Sequence, residues 1–328
     1  MTDTTIPRLS VPLNVFSGFY DRYVTEGYAN PSTLDEQLAA AQSFQALSGV
    51  ELVGRSNVDD AALPEVRKKL ADSRLQVSLL IADLWGRRQW KNGSLTAADA
   101  KIRSLARDEI KRSMEWAAEL ECETVNLWLG QDGYDYPMTG DFLRAWDYLV
   151  EGIKSCAASH PEVKLAIEYK LKEPRTHCYV ATVGKTLLLT NEIGSDNVGG
   201  LLDTGHALLC GENPAESAAL LHRFGRKLMY VHLNDNWRSW DDDMLVASVH
   251  IPEFIEFFGW LDRIEYDGWI GFDIYPFREN TRDIVAQSIE WTLKLDNAAR
   301  MLDTEEIMKN IRRGDSLAAA KAIYKILR

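Results

Sequence analysis

The feature that most constrains this chain is a short apolar run followed by a longer amphipathic run, an alternation that repeats eight times. The short runs have the length and composition of buried strands, and the long runs carry apolar residues at helical spacing. Strands that alternate with helices form a parallel sheet, and eight such units within 328 residues fit a closed barrel. We therefore predict an α/β fold, a (β/α)8 TIM barrel over residues 1–300, with a C-terminal helical extension over residues 301–328.

The apolar and amphipathic runs also give approximate bounds for each element. The predicted strands are 11–17, 49–54, 76–84, 124–130, 164–170, 198–203, 227–234 and 269–275. The predicted helices lie near 33–47, 61–73, 98–120, 140–158, 183–193, 214–224, 252–264 and 281–299. An open, doubly wound sheet is the alternative. It usually has a glycine-rich phosphate loop after its first strand, and the first loop of this chain has no such pattern.

The charge balance argues against nucleic acid as a partner. The chain has 37 Lys and Arg against 49 Asp and Glu, a formal net charge of -12, whereas backbone binding needs a basic surface. The same charge suits an acidic mouth that concentrates divalent cations. There is no apolar signal core, no run long enough to cross a bilayer and no CxxC pair among the four cysteines. We predict a cytoplasmic protein with neither nucleic acid nor membrane as a partner.

Metal-ligating residue types lie at the ends of four consecutive predicted strands, where such barrels place their chemistry. Burying many carboxylates near one axis is costly without counter-charge, and divalent ions such as Mg, Mn or Co are the simplest remedy. The predicted ligands of one ion are Glu168, Asp203, His232 and Asp273. The predicted ligands of a second ion are His206, Asp241 and Asp243, with Asp203 bridging.

Each candidate ligand also has a purely structural interpretation. Asp203, followed by glycine and histidine, is a pattern typical of a capping aspartate at a strand-to-helix turn. A pair with Lys170 would explain Glu168, satisfied hydrogen bonds in the core would explain His232, and a solvated loop would explain residues 241–243. The metal interpretation depends on seven candidate ligands clustering at four consecutive strand ends.

Four further residues are candidates for substrate contact. Lys170 either neutralises the carboxylates or donates a hydrogen bond to a substrate oxygen. Trp128, Trp85 and Phe16 lie at or near the ends of the fourth, third and first predicted strands. Their flat rings serve either as walls against the C–H edges of a sugar or as ordinary barrel packing.

The strand ends resemble those of the xylose isomerase-like superfamily of TIM barrels. The resemblance is carried by Glu168-Tyr169-Lys170 with Glu173-Pro174, by Asp203-Thr204-Gly205-His206, by Asp241-Asp242-Asp243 and by Asp273. Xylose isomerase itself has an aspartate where this chain has His232 and a glutamate where it has Asp203, and both departures resemble L-rhamnose isomerase and its relatives. The histidine that opens the sugar ring in xylose isomerase has no counterpart in residues 49–54, which argues against glucose or xylose as the substrate.

The resemblance implies a metal-dependent aldose–ketose isomerase that acts by a hydride shift on a rhamnose-, lyxose- or apiose-type monosaccharide. It implies a pair of divalent ions, no nucleotide cofactor, Lys170 at the terminal oxygen of the sugar, and a homodimer or homotetramer.

Three other functions are compared with this one. A ketose 3-epimerase or inosose dehydratase on the same barrel is the alternative, although those relatives use a single metal and a pair of glutamates, where this chain has Asp273. An abasic-site endonuclease of the superfamily would need a basic groove, which the net charge disfavours. A non-catalytic sugar-binding protein would not need seven ligands.

Overall fold

Eight parallel strands, each hydrogen-bonded to the next along the chain, close into a barrel in which the last strand pairs with the first. They are β1 (Arg8–Pro12), β2 (Leu47–Val53), β3 (Gln76–Ile81), β4 (Thr124–Trp128), β5 (Lys164–Glu168), β6 (Val198–Asp203), β7 (Leu228–His232) and β8 (Trp269–Gly271). This computed structural model describes residues 7–302 and 304–326. The predicted closed barrel is confirmed.

Helices follow the strands and cover the barrel. They are α1 (Leu34–Gln42), α2 (Leu63–Ala71), α3 (Ala100–Glu119), α4 (Phe142–Ala157), α5 (Val183–Ile193), α6 (Thr204–Leu209), α7 (Pro214–Arg223), α8 (Ile251–Arg263), α9 (Thr281–Arg300), α10 (Thr304–Arg313) and α11 (Ser316–Ile326). The first of them begins with a capping box, in which the side chains of Thr33 and Glu36 each accept a backbone N–H of the other residue. Within the described ranges, no helix is both long and apolar enough to cross a membrane.

The first and last barrel strands differ from their predicted bounds. The apolar run predicted as a strand at 11–17 is a strand only to Pro12 and then a 3-10 turn over Leu13–Phe16. The residues of this turn stay largely buried, so their apolar character did not distinguish a turn from a strand. The last strand ends at Gly271 rather than at residue 275, which places Asp273 in the loop that follows it.

The predicted C-terminal extension contains α10 and α11, which pack against each other. Ile323 of α11 also packs against the main hydrophobic core. Residues 303, 327 and 328 of the predicted extension lie outside the described residues. The division of the chain at residue 300 into a catalytic barrel and an extension stays a prediction.

The barrel interior explains where the polar side chains converge. Leu79, Ala166, Leu201 and Tyr230 form a small buried cluster, separate from the large core between sheet and helices. Side chains two residues apart on a strand point to the same side. Two residues beyond Ala166, Leu201 and Tyr230 therefore come three further inward-facing side chains, one layer nearer the C-terminal mouth: Glu168, Asp203 and His232.

Gly205 allows a close approach of two segments rather than a sharp turn. Gly205 is a residue of α6 and does not have a positive φ. A Cβ at this position would lie 1.8 Å from the Asn234 side-chain oxygen. That amide donates to the Asp203 carboxylate at 2.8 Å, so the glycine makes room for a partner of a candidate ligand.

We expect Gly205→Ala to lower the free energy of unfolding by about 1–3 kcal/mol, because overpacking must displace Asn234. Urea denaturation of both proteins measures the difference. The matched control is Gly259→Ala in α8, where a Cβ would meet no described atom within 4 Å. Alanine there should be neutral or stabilise by up to about 1 kcal/mol, since it is the better helix former. Equal stabilities for the two variants would show that the close approach of Asn234 does not require a glycine at position 205.

Candidate metal centre

Four side chains from four consecutive strand ends form the first cluster: Glu168, Asp203, His232 and Asp273, with one potential ligand atom of each lying within 4.8 Å of the others. Three are the last residues of β5, β6 and β7 and are buried, and Asp273 lies just beyond β8. His232 Nδ1 is 3.2 Å from Glu168 Oε1, 3.7 Å from Asp273 Oδ2 and 3.9 Å from Asp203 Oδ2. One ring nitrogen thus faces carboxylate oxygens of all three acidic members.

The second cluster consists of Asp203, His206 and Asp241, whose potential ligand atoms also lie within 4.8 Å of one another. His206 lies on α6, and Asp241 lies in the loop between β7 and α8, with His206 Nε2 3.2 Å from Asp241 Oδ2. Asp203 belongs to both clusters and also accepts the His206 backbone N–H at 2.8 Å as the N-cap of α6. The capping and ligand interpretations of Asp203 are therefore compatible.

Asp243, a predicted ligand of the second ion, is near these clusters but belongs to neither of them in the described part of the chain. It adopts a left-handed backbone conformation with φ 46°, and its carbonyl accepts the Tyr275 N–H at 2.9 Å. Burial, together with the charges of Asp241 and Asp273, raises the pKa of Asp243 well above its usual value. Its role as a ligand stays a prediction.

Lys170 is a buried cation beside the second cluster. Its Nζ is 2.6 Å from Asp241 Oδ2 and also contacts the Glu173 carboxylate. Burial lowers the pKa of Lys170, but the charges of Asp241, Glu173 and Asp243 raise it by more. The net effect is a pKa well above its usual value, so the ammonium stays charged. The pair with Glu168 considered from the sequence does not form, because the described partners of that carboxylate are histidines and an asparagine.

The electrostatics of the two clusters show a competition between burial and pairing. Burial raises the pKa of Glu168, but the His232 and His206 charges outweigh it and bring the pKa to about 2. Burial raises the pKa of Asp273 to about 7. Burial lowers the pKa of His206, yet the Asp203 and Asp241 charges raise it to about 9. Carboxylates outnumber the cationic groups at this mouth, which favours cation binding.

A family model described as "Xylose isomerase-like TIM barrel" matches residues 38–295. The chain belongs to this family. It is similar to the xylose isomerase of Thermus thermophilus, with 28% identity over 225 residues that cover 67% of this chain and 58% of that enzyme. The match therefore spans little more than half the length of that relative.

Solved structures share the fold at lower identity. A D-psicose 3-epimerase determined in the presence of D-fructose has a TM-score of 0.66 and 17% identity, covering 89% of this chain and 98% of that chain. An IOLI protein with a bound zinc atom has a TM-score of 0.67 and 16% identity, covering 88% of this chain and 98% of that chain. The chain is thus similar in sequence to a sugar isomerase and in fold to a sugar epimerase.

The residues at the mouth fit divalent ions. His206 Nδ1 and Asp241 Oδ1 are buried and have no hydrogen-bond partner among the residues that the structure describes. Leaving such atoms unpaired is costly, and a bound cation would satisfy them. Carboxylate oxygens with imidazole nitrogens form a donor set that suits Mg, Mn or Co.

Two residues that the sequence analysis did not select support the first cluster. Asn126 on β4 donates to Glu168 Oε2 at 2.5 Å, and Glu51 on β2 lies 3.1 Å from His232 Nε2. Glu51 is a lone carboxylate within the apolar run GVELVG, the same pattern that selected Glu168 in LAIEYK. Glu51 could therefore have been predicted from the sequence. An asparagine in a strand gave no comparable signal.

The three predicted aromatic contacts divide into two groups. The Trp128 ring lies 5.2 Å from Lys170 Nζ, and Trp85 packs edge-on against Trp128 with a centroid distance of 5.3 Å. Phe16 instead stacks on Phe44 at 6.1 Å and lines a surface cavity beside α1 and the start of α9. The structure brings the two tryptophans to the site, and the described contacts of Phe16 lie away from both clusters.

We expect metal affinity to rise with pH through about 7 and again through about 9, the pKa values of Asp273 and His206. A ligating histidine must be neutral and a ligating aspartate ionised, so protons compete with the ion below these values and binding releases them. Calorimetric titration of Mn²⁺ in buffers of different ionisation enthalpy counts the released protons. His160→Asn, at a site paired with Glu162, should match the original chain. Binding at pH 7 without proton release would contradict the assignment of His206.

Proposed function

We propose that the chain is a metal-dependent aldose–ketose isomerase that moves hydrogen, as hydride, between neighbouring carbons of a rhamnose-, lyxose- or apiose-type monosaccharide. The proposal is carried by the two ligand clusters that share Asp203, with the Lys170 ammonium beside the second. Family membership and similarity to a xylose isomerase support sugar isomerase or epimerase chemistry. The hydrogen stays within the substrate, so no nucleotide cofactor is needed.

A pair of divalent ions completes this proposal. The first cluster would hold one, and the second cluster, with Asp243 nearby, would hold the other. When bound, such ions stabilise the negative charge that develops on two neighbouring oxygens of the sugar during the shift.

The side chains around the clusters bind and orient the sugar. Lys170 is held by Asp241 and Glu173 and keeps one ammonium N–H, so it can donate to a terminal oxygen of the substrate. The Trp128 ring, with Trp85 packed edge-on against it, forms an apolar surface on the same side, which packs against C–H groups and excludes water.

We expect Lys170→Ala to lower kcat by about 100- to 1000-fold, the cost of removing one donor aimed at developing charge. Bound metal should be retained, since an ammonium is not a ligand. The matched control is Lys164→Ala at the other end of the same strand, where the side chain pairs with Glu123 near the surface. Steady-state kinetics with metal analysis measure both variants. A Lys170→Ala enzyme that turns over normally would remove Lys170 from the mechanism.

A ketose 3-epimerase is the second candidate, and one observation favours it. Glu168 and Asp273 lie in one cluster with pKa values displaced in opposite directions, to about 2 and about 7. A carboxylate that stays ionised, beside a carboxyl group that titrates near neutral pH, suits proton transfer between a base and an acid.

Isotope labelling separates the two candidates. We expect the Mn²⁺-loaded chain, assayed by NMR against a panel of aldoses and ketoses in D₂O, to interconvert an aldose with a ketose and leave the migrating hydrogen unlabelled. A hydride shift keeps that hydrogen, whereas proton transfer through a carboxylate exchanges it with solvent. Inversion at one carbon of a ketose with deuterium incorporation would instead establish the epimerase.

A further inference from the structure

Glu51 is a fully buried carboxylate on β2, across the barrel from β7. Its Oε2 lies 3.1 Å from His232 Nε2, and its Oε1 accepts a hydrogen bond from the Tyr230 hydroxyl at 3.0 Å. A carboxylate taken out of water costs several kcal/mol unless it is paired. Its charged partner here is therefore a histidine of the first cluster.

The two ring nitrogens of His232 face different surroundings. Nδ1 points at the carboxylate oxygens of the first cluster, with Glu168 Oε1 as near as 3.2 Å. Nε2 points the other way, at Glu51. This places the imidazole between the ligand atoms and a second carboxylate that belongs to neither cluster in the described residues.

We propose that Glu51 is a positioning residue that accepts the Nε2–H of His232 and so presents Nδ1 to an ion in the first cluster. Metal-bound histidines generally donate their second N–H to a carboxylate or carbonyl, which fixes the tautomer and the ring orientation. The inference rests on the proposed function, because it takes the first cluster to be a metal site.

The Glu51 carboxylate is held by a hydrogen bond on one side and given room by a glycine on the other. The Tyr230 hydroxyl that donates to Glu51 lies 2.9 Å from Ser78 Oγ, which in turn contacts the Ser10 hydroxyl. On the other side, a Cβ at Gly271 would lie 1.9 Å from Glu51 Oε1, so glycine leaves room for the carboxylate. A group held this firmly can set the orientation of the ring that it contacts.

The test is metal binding rather than turnover. The chain is stripped with EDTA and titrated calorimetrically with Mn²⁺, and His side-chain tautomers are read from long-range ¹H–¹⁵N NMR of the Zn²⁺-loaded protein. We expect Glu51→Gln to lower the affinity for one of the two ions by about 10-fold and Glu51→Ala to lower it by about 100-fold. This is the range seen when a partner of a metal-bound histidine is lost. The amide of glutamine still accepts a hydrogen bond, so Glu51→Gln should keep the His232 tautomer while Glu51→Ala mixes it.

Two control variants distinguish positioning from general damage to the barrel. Tyr230→Phe breaks the hydrogen-bond chain but leaves the Glu51–His232 pair intact, and its metal affinity should stay within about 3-fold of the original. Glu109→Gln removes another buried carboxylate, which is paired with Arg55 and Arg87. This variant should lower the Tm without lowering the affinity for either ion.

The outcomes separate this inference from the function on which it rests. If the unaltered chain binds no divalent ion, the proposed function itself is wrong. If it binds ions and Glu51→Gln binds them equally well, the function stands and the role of Glu51 is refuted. Equal weakening by Tyr230→Phe would also refute it, because the effect would then belong to the network as a whole. Should Glu51→Ala fail to fold, Glu51→Gln decides the question.

Discussion

The structure at the barrel mouth depends on one constraint, which is that acidic side chains from consecutive strands are buried around a common axis. Their repulsion and desolvation have to be offset by cations. The described residues supply two imidazoles and one ammonium, with His232 in the first cluster, His206 in the second and Lys170 beside it. Within the described part of the chain, buried atoms of His206 and Asp241 lack a hydrogen bond, so these groups do not complete the balance, which is why ions are central to the proposed function.

The loop that carries Asp241 contains backbone conformations that residues other than glycine rarely adopt. Arg238, Asp243 and Ala247 all have positive φ values, between 46° and 61°. Buried Asp235 closes the loop through two contacts with His250. Its Oδ2 accepts the His250 backbone N–H, and its Oδ1 lies 2.7 Å from Nδ1 of the His250 ring. Such strain persists only where the surroundings enforce it, and it is concentrated at functional sites.

Much of the barrel and of the candidate ligand set could be predicted because local patterns specify both. β6 has its predicted bounds, and the period-two alternation of strands accounts for the inward direction of Glu168. The remainder depends on contacts between distant segments. Glu51 is 181 residues from His232, and only closure of the barrel brings them together. The same holds for Phe16, whose apolar run did not reveal that its ring turns toward Phe44.

The missing side chain at Gly271 has a consequence for how this barrel can diverge. The Glu51 carboxylate occupies the space that a Cβ at position 271 would need. Position 271 therefore cannot drift alone: an alanine there must displace the Glu51 carboxylate, and that shift disturbs the contact with His232. Across lineages the two sites should covary as a linked pair, with glycine on β8 accompanying glutamate on β2.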